Sequence, residues 1–180
     1  SKDELLQPKI SDDNDYYEQF VESKLILKYP KVDNWVKLKL NQICANISIK
    51  EYQIKTSSIK QNGKFPVVSQ AENLIDGFCN KNKPINLVPC VIFGDHTKVV
   101  KYINFPFIVG ADGTKCLYPY INSKFFYYLI KYYTLFIKNR GYARHYSYFA
   151  TFNFYIPSFK QQEEIVISIE KLLFKLEQIK

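Results

Sequence analysis

A chain of 180 residues that is 47% hydrophobic and 17% aromatic has enough apolar side chain for one filled core, which excludes an intrinsically disordered polymer. Its formal charge of +8 points to an anionic partner, and that charge is almost wholly lysine, since only Arg140 and Arg144 among 25 basic residues are arginine. No apolar run approaches the ~20 residues of a membrane-spanning helix and no signal-like start is present, so a cytoplasmic protein without a membrane partner is expected.

In chain order, the acidic opening "SKDELLQPKISDDNDYYEQFVESK" predicts a short helix that holds Tyr16, Tyr17 and Phe20 and is capped by Asp12 and Asp13. "NWVKLKL" alternates apolar residues with lysines, as a strand or a strand-to-helix entry does. "GKFPVVSQ" reads as a short strand after Gly63, and "LVPCVIFG" as a strand buried on both faces and ended by Gly94. "TKVVKYINFPFIVGADG" supplies two further strands and a turn at 110–113. Asn122 or Ser123 then caps a helix in which Phe125, Phe126, Leu129, Ile130, Tyr133, Phe136 and Ile137 recur at helical spacing. Gly141 is expected to stop this helix, with Arg140 on its last turn. "FNFYIP" is a strand ended by Pro157. In the closing helix, Ile165, Ile169, Leu172, Leu176 and Ile179 follow the alternating four–three spacing of a coiled-coil seam. The expected fold is α/β in the α+β sense, a mixed sheet of short strands with packed helices and a protruding C-terminal helix. With no methionine and a serine at position 1, the sequence is expected to be a fragment or processed form.

The charge is unevenly placed. Residues 31–64 carry seven basic groups against two acids, and residues 101–146 seven against one, whereas residues 1–30 carry four against seven. A fold that joined the two basic segments would present one basic face, the footprint of a nucleic-acid binder; the rival reading is an ordinary solvated lysine surface. The four cysteines, 35, 11 and 26 residues apart, form no pair with metal-ligand spacing, so no metal site is expected and buried free thiols are.

Catalytic chemistry finds little support. There is no Asn/Asp-Pro-Pro motif and no glycine-rich cofactor loop of a methyltransferase, and "GADGT" lacks the strand-then-helix setting of a nucleotide loop. A nuclease needs clustered carboxylates, yet Asp112 is the only acid from 101 to 146. Asp95-His96 could be a base and its orienter, but no nucleophile motif accompanies the pair. No cofactor is expected.

Taken in order, "NWVKLKLNQIC", "GKFPVVSQ", "VIFGDHTKVVKYINFPFIVGADGTK", "GYARHYS" and "IPSFKQQEEIVISIEKL" resemble one half of a type I restriction–modification specificity (S) subunit, from Asn34 to the C-terminus. The resemblance implies an acidic lead-in at 1–29, one target recognition domain at 30–156 and one coiled-coil spacer helix at 157–180. The implied function is non-catalytic recognition of double-stranded DNA at one half of a split target. The implied partners are methyltransferase subunits, the restriction subunit through them, and a second recognition half or a second copy paired through the helix. Fused restriction enzymes and stand-alone methyltransferases use related domains. An assembly module whose helix is the working part, or an RNA binder stacking bases on tyrosines, are readings from other classes.

Base readout needs arginine for guanine, Asn or Gln for adenine, and adaptable Ser, Thr and His. The first candidates are Arg140, Arg144, His145 and Tyr146 with Tyr142, whose "KNRGYARHYSYF" stretch concentrates both arginines. An ion pair or helix-end contact is the structural rival for the arginines, and core packing suits Tyr142 better. The second group is His96, Thr97 and Lys98 at the end of the buried strand, where Asp95 suits a turn cap. The third is Ser69 and Gln70. Lysines 50, 55, 60, 64, 81, 101 and 115 are then phosphate contacts.

Overall fold

The computed structural model describes residues 34–179 apart from 82, 111–112 and 139–143, together with the backbone of two earlier strands. The elements run β1 (Tyr16–Phe20), β2 (Ile26–Pro30), β3 (Val36–Leu38), α1 (Leu40–Ile43), β4 (Cys44–Ile47), β5 (Phe65–Val68), β6 (Gly77–Cys79) and β7 (Cys90–Gly94). They continue with β8 (Val100–Ile103), β9 (Ile108–Val109), β10 (Thr114–Pro119), α2 (Ser123–Thr134), α3 (Tyr146–Phe149), β11 (Phe154–Ile156) and α4 (Phe159–Glu177).

A four-stranded antiparallel sheet in the order β4-β10-β7-β8 forms the middle layer. The continuous apolar run of β7 is buried at all five positions because both of its faces are covered. Val91 and Phe93 join a core with Phe125, Phe126, Leu129 and Ile130 of α2, Phe149 of α3, Phe154 and Ile156 of β11, and Val166 of α4. On the opposite face Cys90 and Ile92 pack with Ile103, Cys116, Val68, Phe107 and Val109. The third layer is the three-stranded sheet β6-β5-β9, in which β5 runs parallel to β9 and antiparallel to β6. β3 and β11 pair antiparallel, Leu38 opposite Phe154. The mixed strands and packed helices therefore make the expected α+β fold.

Two expectations are corrected. The Tyr16–Phe20 segment is a strand, not a helix, paired antiparallel with β2 so that Tyr17 faces Tyr29 and Glu18 faces Lys28. Asp12 and Asp13 lie outside the described residues. α2 stops at Thr134, where the backbone tightens and the N–H groups of Leu135, Phe136 and Ile137 each reach back three residues. Phe136 and Ile137 continued the helical spacing because they pack from this turn; Ile137 is buried in the same core.

Helix ends are fixed by side chains. Asn122 Oδ1 accepts the N–H of Phe125 at 3.0 Å, and Ser158 and Gln161 cap α4 reciprocally. Gln162 is the joint between the two helices. It is buried, its Nε2 donates to Pro157 O at 2.9 Å, and its Oε1 accepts the N–H of Asn122 at 3.0 Å. A Lys124–Glu170 pair at 2.6 Å closes the same seam. α4 thus packs on α2 only along its first half, where Val166 is buried and Ile165 and Ile169 are half-buried, while every residue from 171 to 179 is exposed. At about 1.5 Å per residue, the helical part of that segment, 171–177, is roughly 10 Å of exposed helix.

All four cysteines are free and buried, with the Cys116 thiol 3.6 Å from Cys90 Sγ. No group of three metal-ligating side chains occurs among the described residues, and no described helix is long and apolar enough to cross a membrane.

Candidate nucleic-acid interface

The end of the middle sheet where β7 finishes and β10 begins collects loops from four parts of the chain. Asp95, just past β7 and 2% exposed, ties them together. Its N–H donates to Gly113 O at 2.7 Å, its carbonyl accepts the N–H of His145 at 2.8 Å, and its Oδ1 accepts the N–H of Tyr146 at 2.8 Å. Its Oδ2 lies 3.8 Å from Lys115 Nζ, which itself stands 5.3 Å from the centre of the Tyr146 ring. Burial, more than the neighbouring Asp95 charge, pushes the Tyr146 phenol up to about 12, so the ring stays neutral under the lysine.

Gln70 makes the second tie. Its Oε1 accepts the N–H of His96 at 3.0 Å and its carbonyl accepts Thr97 Oγ1 at 2.7 Å, which docks the end of β5 on the Asp95–Lys98 turn. Gly113, at φ +80°, permits this approach: a Cβ there would stand 2.6 Å from Gln70 Nε2 and 2.7 Å from the His96 ring. Lys98 closes the turn in a left-handed conformation at φ +59°, its N–H donating to Gly94 O at 2.9 Å. Beside the Asp95 tie, Asn46, Ser48, Thr114, Lys115 and Arg144 line a cleft of about 430 Å³. Because β4 pairs with β10, Cys116 opposite Ile47, the two basic stretches of the sequence meet here.

The structure brings Gln70, His96, Thr97, Lys98, Arg144 and Tyr146 to one end of the molecule. Thr97 and Arg144 are exposed, and Gln70, His96, Lys98 and Tyr146 half-buried. His145 is 1% exposed, because its backbone N–H is held on Asp95 O and its ring is drawn inward; the structure gives it a packing position. Ser69 is buried too, its Oγ accepting the N–H of Ala71 at 3.1 Å. Arg140 and Tyr142 lie outside the described residues. Two of the candidate phosphate lysines are corrected: Lys101 is 5% exposed and donates to Asn73 O, and Lys81 Nζ clamps the carbonyls of Glu51 and Gln53 at 2.6 and 3.0 Å. Lys50, Lys55, Lys60 and Lys64 are exposed. Asn46 and Ser48 were missed because β4 was not read as a strand; the alternation of "CANISI" is the signal that could have found them. On α4, Leu172, Leu176 and Ile179 are 60%, 52% and 81% exposed, whereas Ile165 and Ile169 are partly covered by their own domain.

The chain is thus a three-layer α+β domain with a C-terminal helix and a polar, partly basic loop cluster at one sheet end. Among solved structures the fold is shared with S subunits of type I restriction–modification systems. It is similar to the S subunit from M. genitalium at TM-score 0.63 and 14% identity, covering 95% of this chain and 43% of that one. It is also similar to the HsdS subunit from Thermoanaerobacter tengcongensis at TM-score 0.59 and 14% identity, covering 83% and 41%. A structure concerned with complex assembly and conformational transition of the type I R-M system matches at TM-score 0.63 and 15% identity, covering 89% and 42%. The chain thus spans less than half the length of each. No protein-family profile and no curated protein sequence matches it.

Proposed function

We propose that this chain is a sequence-specific reader of double-stranded DNA in the cytoplasm, acting as one half of a type I specificity subunit without catalysis of its own. In this reading residues 30–156 form the target recognition domain, with 1–29 a lead-in and 157–180 a spacer and assembly helix. The chain directs methyltransferase subunits, and through them the restriction subunit, to one half of a split target. The observation that carries the reading is the gathering of Gln70, His96–Lys98 and Arg144 beside Lys115 at one sheet end, on a fold that S subunits share. Arg144 offers the donors that discriminate base edges, Gln70 holds the His96–Lys98 turn in place, and the exposed lysines position the backbone. The exposed face of α4 serves pairing with a second recognition half or a second copy.

The test is binding of the purified chain to labelled double-stranded DNA, single-stranded RNA and no competitor, across a salt series. Duplex affinity should fall log-linearly with salt, with a slope of about 0.9 per phosphate neutralised. A response that is flat between low and physiological salt, or a preference for single-stranded RNA, would refute the reading.

A further inference from the structure

One buried charge has no role in the interface so far described. Lys101, on β8 opposite Ile92, points into the apolar layer that holds Ile92 and Ile103, where burial pulls its ammonium below the usual lysine range despite the opposing charge of Asp76. An apolar side chain would suit that position better. What the lysine achieves there is a bond: its Nζ donates to the carbonyl of Asn73, in the loop between β5 and β6.

The same loop is held at its other points without using its outward side chains. Gln70 docks its start on His96 and Thr97, Ser69 Oγ accepts the N–H of Ala71, and the Asp76 N–H donates to Val67 O at 2.9 Å. Gly94 allows the close approach, since a Cβ there would meet Thr97 Oγ1 and stand 3.0 Å from Gln70 Cβ. The four residues between these ties, Ala71, Glu72, Asn73 and Leu74, are all exposed. They follow directly on Gln70, which docks on His96 and Thr97. It is the carbonyl of Asn73 that Lys101 takes, not its side-chain amide.

We infer that the loop Ala71–Leu74 is a second base-reading element beside the Arg144 segment, with Glu72 and Asn73 as its reading side chains and Lys101 as the residue that positions it. This rests on the DNA-reading function proposed above. An Asn amide matches the N6/N7 edge of adenine, and a carboxylate accepts from cytosine N4. A carboxylate is a poor neighbour for phosphates, so an exposed Glu72 suits base discrimination and not general DNA affinity.

The test is selection from a randomised double-stranded DNA pool by the purified wild-type chain, by E72A/N73A and by K101M, with retained duplexes sequenced. Wild type should enrich one motif. E72A/N73A should keep most of it, lose roughly tenfold or more of the preference at one or two adjacent base pairs, and bind non-specific duplex equally well or better. K101M should lose preference at the same base pairs, with faster amide hydrogen exchange confined to residues 71–76. Should K101M fail to fold, the exposed double variant carries the test alone. If wild type enriches a motif and E72A/N73A enriches it unchanged, the loop does not read bases and the inference falls while the DNA-reading function stands. If wild type enriches nothing, both fall.

Discussion

Removing the Asp95 carboxylate separates its two roles. In Asp95→Asn the side-chain oxygen that accepts the Tyr146 N–H at 2.8 Å persists, and only the charge facing Lys115 is lost. That pair is 3.8 Å apart and its lysine is partly solvated, so its loss costs about 1 kcal/mol or less. In Asp95→Ala the N–H of Tyr146 loses a charged acceptor in a site that is 2% exposed, at a cost of about 1.5–3 kcal/mol, with a small cavity term added. For a chain of 180 residues this corresponds to a melting temperature lower by about 3–12 °C for Asp95→Ala and by only about 1–4 °C for Asp95→Asn. Because Arg144 adjoins the two tethered residues, Asp95→Ala should also weaken duplex binding beyond what its folded fraction explains. Thermal melts followed by gel shifts at a temperature where both variants are folded separate the effects. An Asp95→Asn protein as unstable as Asp95→Ala would show that the charge, not the tether, is what the site requires.

Three further outcomes are expected. Arg144→Lys keeps the charge but loses the planar fork, so base discrimination at one position should fall by about 1–3 kcal/mol with an unchanged salt slope, and unchanged discrimination would limit Arg144 to phosphate or packing. Leu172→Asp/Leu176→Asp should leave the melting temperature nearly unaltered, since both residues are exposed, while removing self-association or methyltransferase docking in sedimentation or pull-down experiments; unfolding would show the end of α4 to be core. Burial pushes Cys44 from 9.0, and Tyr133 and Tyr146 from 10.0, up to about 12, so the folded chain holds these protons more tightly than the unfolded one. Their contribution is complete below about pH 9 and is lost as pH rises toward 12; melting temperatures that stay flat from pH 8 to 12 would contradict the burial of all three.

Much of the scaffold was legible because its signals are local. The unbroken apolar run at β7, the Asn122 cap of α2 and the Ser158–Gln161 start of α4 each state their structure within a few residues. β10 was not legible, although it is the strand that joins β4 to β7: its "TKCLYP" mixes Lys115 and Pro119 into the apolar pattern. α1 and α3, four residues each, are too short for periodicity to reveal and exist because Leu40, Ile43 and Phe149 are buried by tertiary packing. The site divided in the same way. Residue type put Gln70, Thr97, Arg144 and His145 forward alike; it could not show that His145 is buried, its backbone held on Asp95, fifty residues earlier in sequence. Lys101 looked like any surface lysine, because only the loop folded over β8 makes it a buried donor.

These long-range bonds share one feature. The Asp95 carboxylate takes the backbone N–H of Tyr146, the Gln70 amide takes the backbone N–H of His96, and the Lys101 ammonium takes the carbonyl of Asn73. Each buried or half-buried polar side chain grips main chain, so the identity of the exposed residues between the grips is left free. Ala71–Leu74 and Arg144 can therefore change without disturbing how their loops are held, whereas the Thr97 hydroxyl is itself one of the grips, on the Gln70 carbonyl. A recognition surface built this way can acquire new specificity by substitution at exposed positions, at little cost in stability. This division between gripping and exposed residues also fixes where specificity and stability should separate in mutagenesis. Changes at Asp95, Gln70, Thr97 and Lys101 should alter both together, and changes at Glu72, Asn73 and Arg144 should alter DNA preference alone.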